Sequence, residues 1–461
     1  MNAIHPVSDH EYHKYLNELI DLMAIPSISS NADHAGDCRS AAEWLARRIR
    51  SSGGKNVRLI EHDPNPVVYG ELGSLSPDAP TVLVYGHYDV VSAGEASEWN
   101  SPAFEPTERN GFLYGRGAAD IKGPLLASLF GAIRAVDSAA EAGRDYPWRI
   151  KLLFEGAEEG GSWSIRNFID QYPDVMSADF AFSADAGMFS YEKPSITLSV
   201  KGLCGVLFRL SGAARDQHSG AFGGAIDNPN RALAEMVAGL HDGNGRITVE
   251  GMYDGVPEIS DAQKADLAAI GMDDEHFKTG AGVDQLWGEA GFSAGERVFH
   301  RPSLTVTSLS GGAVMNIIPA KAEAYISVRL VPEQDPPKVL EALKAHLRTN
   351  CPPTMKLEIL KEGHYPGAWN DREHFSVKSL AAAIGAQWDC PPLFVPGGGG
   401  IPVIAYLQKK LGIPSVLTGI AAAEDNIHGA DERLHLGNWR KSIDAYGDFF
   451  ASIADRSALR R

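Results

Sequence analysis

Three short, largely apolar runs, Thr81–Tyr85, Ile150–Phe154 and Ala178–Ser183, each give way within a few residues to an acid or a histidine. Near-continuous apolar strands separated by helical stretches belong inside a parallel sheet that helices cover on both faces. Ligands of such sheets bind beyond the carboxyl ends of the strands. The segments that follow the runs, Gly86-His87-Tyr88-Asp89, Ala157-Glu158-Glu159-Gly160 and Ala184-Asp185-Ala186, are therefore expected in one crevice. Two more segments carry the same residue types, Gly117-Ala118-Ala119-Asp120 and Asn426-Ile427-His428-Gly429. Carboxylates and imidazoles gathered without cysteine suit a borderline-hard divalent ion such as zinc. That donor set points to a metal-dependent hydrolase.

The rest of the chain supplies helices to cover the sheet. Helical spacing predicts helices over Glu11–Met23, stopped by Pro26, and over Cys38–Ser51, Gly123–Val136 and Ser162–Gln171. Strands are expected at Val57–Glu61 and Val67–Glu71. Near Lys201 the pattern changes. Gly205–Leu210, Leu304–Leu309, Ala322–Leu330 and Met355–Leu360 alternate like half-exposed antiparallel strands, with helices at Asn230–His241 and Pro337–Arg348. Beyond Gly367 the first pattern returns, with helices at Glu373–Ile384, Val403–Leu411 and Leu436–Ala454 and a strand at Ser415–Thr418. The expected fold is α/β, a three-layer catalytic domain with a largely parallel sheet, split between 1–201 and 367–461. An α+β sandwich is inserted at 202–366, and its segment Asp242–His300, rich in Gly, Asp and Glu, is expected to form long lid loops.

Composition narrows the partners. A chain of 461 residues exceeds one ordinary core, which agrees with two domains. The formal charge of −17 argues against nucleic acid and against an anionic membrane surface. Met1–Tyr12 is polar and unlike a signal peptide, and no run approaches the ~18 apolar residues of a membrane span. Cys38, Cys204, Cys351 and Cys390 lie far apart, as expected of free thiols in a reducing cytoplasm.

Each candidate residue has an ordinary alternative. Residues i and i+2 of an extended segment point the same way, so Asp89 is expected to accept the second imidazole N–H of His87 and fix its tautomer. A lone His-x-Asp is more often a histidine capping a strand end. An Asp before a helix, as at Asp120, is more often a plain N-cap. At that turn, however, a carboxylate can bridge two cations. Glu158-Glu159 is the most telling pair, because adjacent carboxylates after a buried strand repel each other unless a cation or a shared proton intervenes. One would bind metal while the other takes a proton from the metal-bound water; an acidic loop start is the alternative. Asp185 closes an apolar strand among small residues, and His428 would complete a second metal.

Taken together, Gly86-His87-Tyr88-Asp89-Val90, Gly115-Arg116-Gly117 to Asp120 with Lys122-Gly123-Pro124, Glu158-Glu159-Gly160 and Asp216-Gln217-His218-Ser219-Gly220 resemble the carnosine dipeptidase and aminoacylase family of dinuclear zinc metallopeptidases. The likeness follows the chain in order and includes the inserted domain. It implies two Zn2+ per subunit, with Mn2+ or Co2+ as alternative metals. One ion would rest on His87 and Asp185, the other on Glu159 and His428, with Asp120 between them. The resemblance makes Glu158 the general base, Asp89 an orienting carboxylate, and the peptide after Asp120 cis. It makes His218 a residue of the inserted domain that reaches the partner subunit's active site and binds the oxyanion. Asn316 and Arg329 would hold the substrate, Arg329 gripping a terminal carboxylate through its two-pronged guanidinium. A homodimer formed through the inserted domain follows from the same likeness.

One loop departs from the family pattern. Pro396-Gly397-Gly398-Gly399-Gly400-Ile401-Pro402 lacks the charged residues and hydroxyl that relatives carry there, and Gly399 and Gly400 allow close backbone approach to a ligand. The expected activity is zinc-dependent hydrolysis of an amide bond in short peptides, by a metal-bridging water with Glu158 as base. Cleavage of N-acyl or N-carbamoyl amino acids is the alternative substrate class. A non-catalytic dimeric metal-binding scaffold is the alternative from outside enzymology. It gives no reason for Glu158.

Overall fold

The computed structural model describes residues 4–160, 163–312 and 315–454. It divides into two compact units. The first comprises the chain up to Leu198, Asn370–Val395 and the chain from Tyr406 onward, and the second comprises Ser199–Trp369 and Pro396–Ala405.

In the first unit the sheet centre is parallel. Arg149–Glu155, Thr81–His87, Phe180–Ser183 and Ser415–Thr418 lie side by side, with Tyr85 opposite Leu153, Val84 opposite Phe182 and Val416 opposite Phe182. Antiparallel strands flank them: Val67–Gly73 and Lys55–Ile60 at one side, Ser195–Val200 at the other. The last of these was not expected from the sequence. Its Ser-Ile-Thr-Leu-Ser-Val pattern merges there with the strand that begins at Gly202.

Side-chain alternation assigns the layers. Val82, Val84, Ile150, Leu152 and Phe182 enter a core formed with the helices Ala35–Ser51, Gly123–Glu141 and Leu436–Ile453. Lys151, on the opposite face, donates from Nζ to the carbonyls of Asp174 and Ser177 at 2.8 and 2.6 Å, under a short helix at Pro173–Met176. Helices Gly123–Glu141 and Leu436–Ile453 cross at Gly131, where a Cβ would stand 2.7 Å from Tyr446 Cβ and 2.9 Å from Gly447 N. Trp439, fully buried, donates from Nε1 to Gly123 O at 2.8 Å and so fixes the start of the helix that follows Asp120.

The second unit is built on an antiparallel sheet in the order Ser303–Ser310, Lys321–Leu330, Gly202–Ser211, Lys356–Tyr365. Alternate residues Ala322, Ala324, Ile326 and Val328 are buried against helices Pro229–Ala238 and Pro336–Thr349.

Three details differ from the sequence reading. The segment 242–300 is not all loop: it contains helices Asp261–Ala269, Asp274–Ala281 and Ala294–His300. Their caps were legible in part. Ser260 with Gln263 and Ser293 with Glu296 form capping boxes, so polar residues taken for loop are helix starts. The Gly397–Gly400 loop, assigned by sequence to the 367–461 portion of the first domain, groups with the second unit. Backbone contact decides it: Gly399 O accepts from Lys201 N at 2.8 Å, and a Cβ on Gly400 would lie 2.4 Å from the Tyr365 ring. The helix expected from Ser162 is described from Trp163, Ser162 lying outside the described residues. Among the described residues no helix is long and apolar enough to cross a membrane.

Candidate metal centre

The parallel strands deliver their polar ends to one place. His87 ends the strand Thr81–His87 and is buried. Its Nε2 lies 3.2 Å from Asp120 Oδ1 and 3.8 Å from Asp185 Oδ1. The other oxygen of Asp120 lies 3.1 Å from His428 Nε2, which is 3.2 Å from Glu159 Oε1. Asp120 thus stands between two donor groups, His87 with Asp185 and His428 with Glu159. The peptide Asp120–Ile121 is cis, and His428 has φ +64° in a tight turn after Asn426, at φ +53°.

These separations suit cations. Two donors about 2.0–2.1 Å from one tetrahedral metal are roughly 3.3 Å apart. Glu159 Oε1 is buried without a hydrogen bond among the described residues, although His428 Nε2 is close. Lone pairs turned toward each other in this way need a positive charge between them. The field at the site is strongly negative: Asp120 and Glu159 push the His428 imidazole up to about 10. A site that attracts a proton so strongly attracts a metal ion for the same reason. The donor set therefore fits the divalent ions that the sequence implies.

Asp89 meets His87 as expected and has further partners. The shorter approach to His87 Nδ1 is from the Asp89 backbone oxygen, at 3.0 Å, and its carboxylate oxygen lies at 3.4 Å. The carboxylate also reaches the next segment, where it accepts from Glu158 N at 3.2 Å and Glu159 N at 3.1 Å. One fully buried acid therefore sets the imidazole and both glutamates. Burial pushes the Glu158 carboxyl up to about 7.

Sequence reasoning missed Glu432. This buried carboxylate takes Arg116 Nη1 at 2.6 Å and the backbone N–H groups of Gly117, Ala119 and Asp120 at 3.1, 2.9 and 3.0 Å. Arg116 also donates to His428 O at 3.2 Å. The ion pair thereby holds the Asp120 turn and the His428 loop together. The only signal was an acid shortly after His428, and Glu424, Asp425 and Asp431 look the same in sequence. Glu155 was missed too. It is buried beside the centre, accepts from the Tyr85 hydroxyl, and burial pushes it up to about 8.

The remaining candidates lie in the second unit. His218 is exposed, in a two-residue strand paired with Ile317–Ile318, and its Nδ1 accepts from Gly220 N at 3.1 Å. In the neutral imidazole that acceptor role places the proton on Nε2. Asn316, at φ +63°, is its neighbour, with Ser219 N donating to Asn316 O at 2.9 Å. Arg329 donates to the Tyr365 hydroxyl at 3.1 Å, and Tyr365 also touches Gly400. Gly399 holds Lys201 N through its carbonyl.

A parallel sheet that presents paired imidazoles and carboxylates around a central aspartate, with an inserted α+β unit, defines a metallohydrolase. The profile of the peptidase family M20/M25/M40 matches residues 83–452, and the chain belongs to that family. It is 30% identical to a cysteinylglycine-S-conjugate dipeptidase of Corynebacterium striatum over 91% of each chain. It is 27% identical to a Cys-Gly metallodipeptidase of Candida albicans over 95% of this chain and 94% of the relative. The structure of an M20 family metallo-carboxypeptidase from Sulfolobus solfataricus superposes with a TM-score of 0.84 at 29% identity, covering 95% of this chain and 98% of the other. Human carnosine dipeptidase 1 superposes with a TM-score of 0.77 at 25% identity, over 97% of each chain. The chain is a metal-dependent enzyme of peptide hydrolysis.

Glu432→Gln removes the charge that matches Arg116 while keeping the shape. Metal affinity, read by chelator competition with zinc, is expected to fall about 10–100-fold, as for other residues that orient ligands. Unchanged affinity would show that the Asp120 turn holds its shape without the ion pair.

Proposed function

We propose that the chain is a zinc-dependent dipeptidase or carboxypeptidase-type exopeptidase of the reducing cytoplasm, acting as a homodimer on short peptides. The observation that carries this reading is Asp120, one carboxylate placed between two imidazole–carboxylate pairs, with Glu158 fixed beside Glu159 by the same Asp89. The relatives' names, cysteinylglycine-S-conjugate dipeptidase, Cys-Gly metallodipeptidase and Beta-Ala-His dipeptidase, support peptides of two residues as the substrate class. The distant cysteines support the compartment.

His87 and Asp185 would hold one ion and His428 and Glu159 the second, with Asp120 facing both pairs. When bound, two such ions bring a water pKa from ~15.7 toward ~7 and stabilise charge on the substrate carbonyl. Glu158 takes the proton of the attacking water at its carboxylate and passes it to the departing amine. Burial raises its carboxyl and so strengthens it as a proton acceptor. Asp89 keeps Glu158 and Glu159 in register. His218 donates from Nε2 to the developing oxyanion in the partner's site, Asn316 orients the substrate beside it, and Arg329 holds the terminal carboxylate, with the backbone of Gly399 and Gly400 lining the same subsite.

The zinc-loaded protein is expected to cleave unmodified dipeptides in preference to N-acetyl and N-carbamoyl amino acids. Turnover confined to the acylated compounds would replace the peptidase reading with the amidohydrolase one. Glu158→Gln should keep two zinc ions per chain by elemental analysis and lose roughly 10²–10⁴ in kcat. Full activity in that variant would remove Glu158 from the mechanism and reopen the scaffold alternative. Mixing His218→Ala chains with Glu158→Gln chains should recover part of the activity that neither homodimer has. An inactive mixture would count against active sites shared across a dimer.

A further inference from the structure

The helical segment that the sequence left as loops forms, with strand residues of the second unit, the wall of an open cavity of about 400 Å³. Ile247, Phe277, Leu286 and Trp287 give it apolar walls, and Arg329 and Gly398 stand on its boundary. Arg329 alternates along its strand with Val328 and Leu330 of the hydrophobic core, so its side chain leaves on the sheet's other face. The volume is that of a small-molecule pocket, roughly 300–1,000 Å³.

Glu289 takes up part of the positive charge on the cavity wall. Glu289 accepts from Arg301 at 3.0 and 2.7 Å and from Arg246 at 2.9 Å. Arg297 donates to Glu289 O at 3.5 Å and Arg329 to the Tyr365 hydroxyl at 3.1 Å, and among the described residues neither pairs with a carboxylate. A guanidinium in that state offers its fork to an anionic ligand. Trp287 is 71% exposed, with His241 edge-on at 4.9 Å, so a broad apolar ring of the same lining meets solvent. The wall is held in place before any ligand arrives. Buried Lys201 donates from Nζ to Val298 O at 2.8 Å and Arg301 O at 2.5 Å, fixing the end of helix Ala294–His300.

We propose that this cavity receives the side chain of the substrate's C-terminal residue, and that it selects large apolar or aromatic residues there. The inference rests on the exopeptidase reading and extends it to specificity. The carboxylate and side chain of a terminal residue share one Cα, so anchoring the first on Arg329 sets the second against the adjoining apolar wall. Glycine would leave that wall wet. A leucine or phenylalanine buried there gains roughly 10–100-fold in kcat/KM over glycine.

The test is kcat/KM of the metal-loaded full chain for Ala-Gly, Ala-Ala, Ala-Leu and Ala-Phe, with circular dichroism to check the fold of each variant. The values are expected to rise along the series, and Trp287→Ala and Phe277→Ala are each expected to lower the Phe-to-Gly ratio about tenfold. Equal values across a panel that is turned over would overturn the pocket assignment and leave the peptidase reading standing. A ratio that neither variant moves would do the same. Absence of turnover for every dipeptide would remove the peptidase reading and the assignment with it.

Discussion

A single buried ion pair carries the metal centre. Arg116 and Glu432 are both withdrawn from water, and Glu432 closes its own desolvation by accepting three backbone N–H groups as well as the guanidinium. Removing one member of a buried pair leaves an uncompensated charge, typically at a cost of about 3–5 kcal/mol. Here the N–H groups belong to the turn that presents Asp120, and the second arm of Arg116 reaches the carbonyl of His428. A segment in the first third of the chain and one near residue 430 are thereby locked in register. Asp120 and His428, which the lock ties together, stand 3.1 Å apart at the centre.

Asp89 performs the corresponding task on the other side. A carboxylate satisfied by two successive backbone N–H groups cannot swing freely, and the loop it fixes carries Glu158 and Glu159. The centre is thus a set of acids held by other acids. Such crowding is costly in the absence of cations, and the displaced titration of Glu158 and His428 reflects that cost. The chemistry of the site is therefore written in its electrostatics, and the second unit contributes a separate asset, an apolar cavity with an unmatched guanidinium on its wall.

Much of this was legible in the residues. The apolar runs predicted which strands lie at the sheet centre, because continuous burial on both faces leaves no room for polar alternation. The strands of the inserted unit were equally readable, since alternation at Ala322–Leu330 reproduces the burial of every second side chain. Less was legible where burial is partial or contacts are remote. The three helices within 242–300 are short and bury few residues, so capping boxes marked two of them and a lone Asp273 cap the third. Glu432 could not be told from its acidic neighbours, because its role depends on groups far away in the chain.

The sequence by itself determined the class of fold, the donor types and the segments that bear them. Those features depend on local periodicity and on side-chain chemistry, which are present in any stretch of chain. Tertiary structure alone decided that Glu432 holds the Asp120 turn, that Asp89 reaches the N–H groups of Glu158 and Glu159, and that Arg329 borders a cavity. Each of these relations joins residues that only chain folding brings within a few ångströms, and no local pattern encodes such a distance.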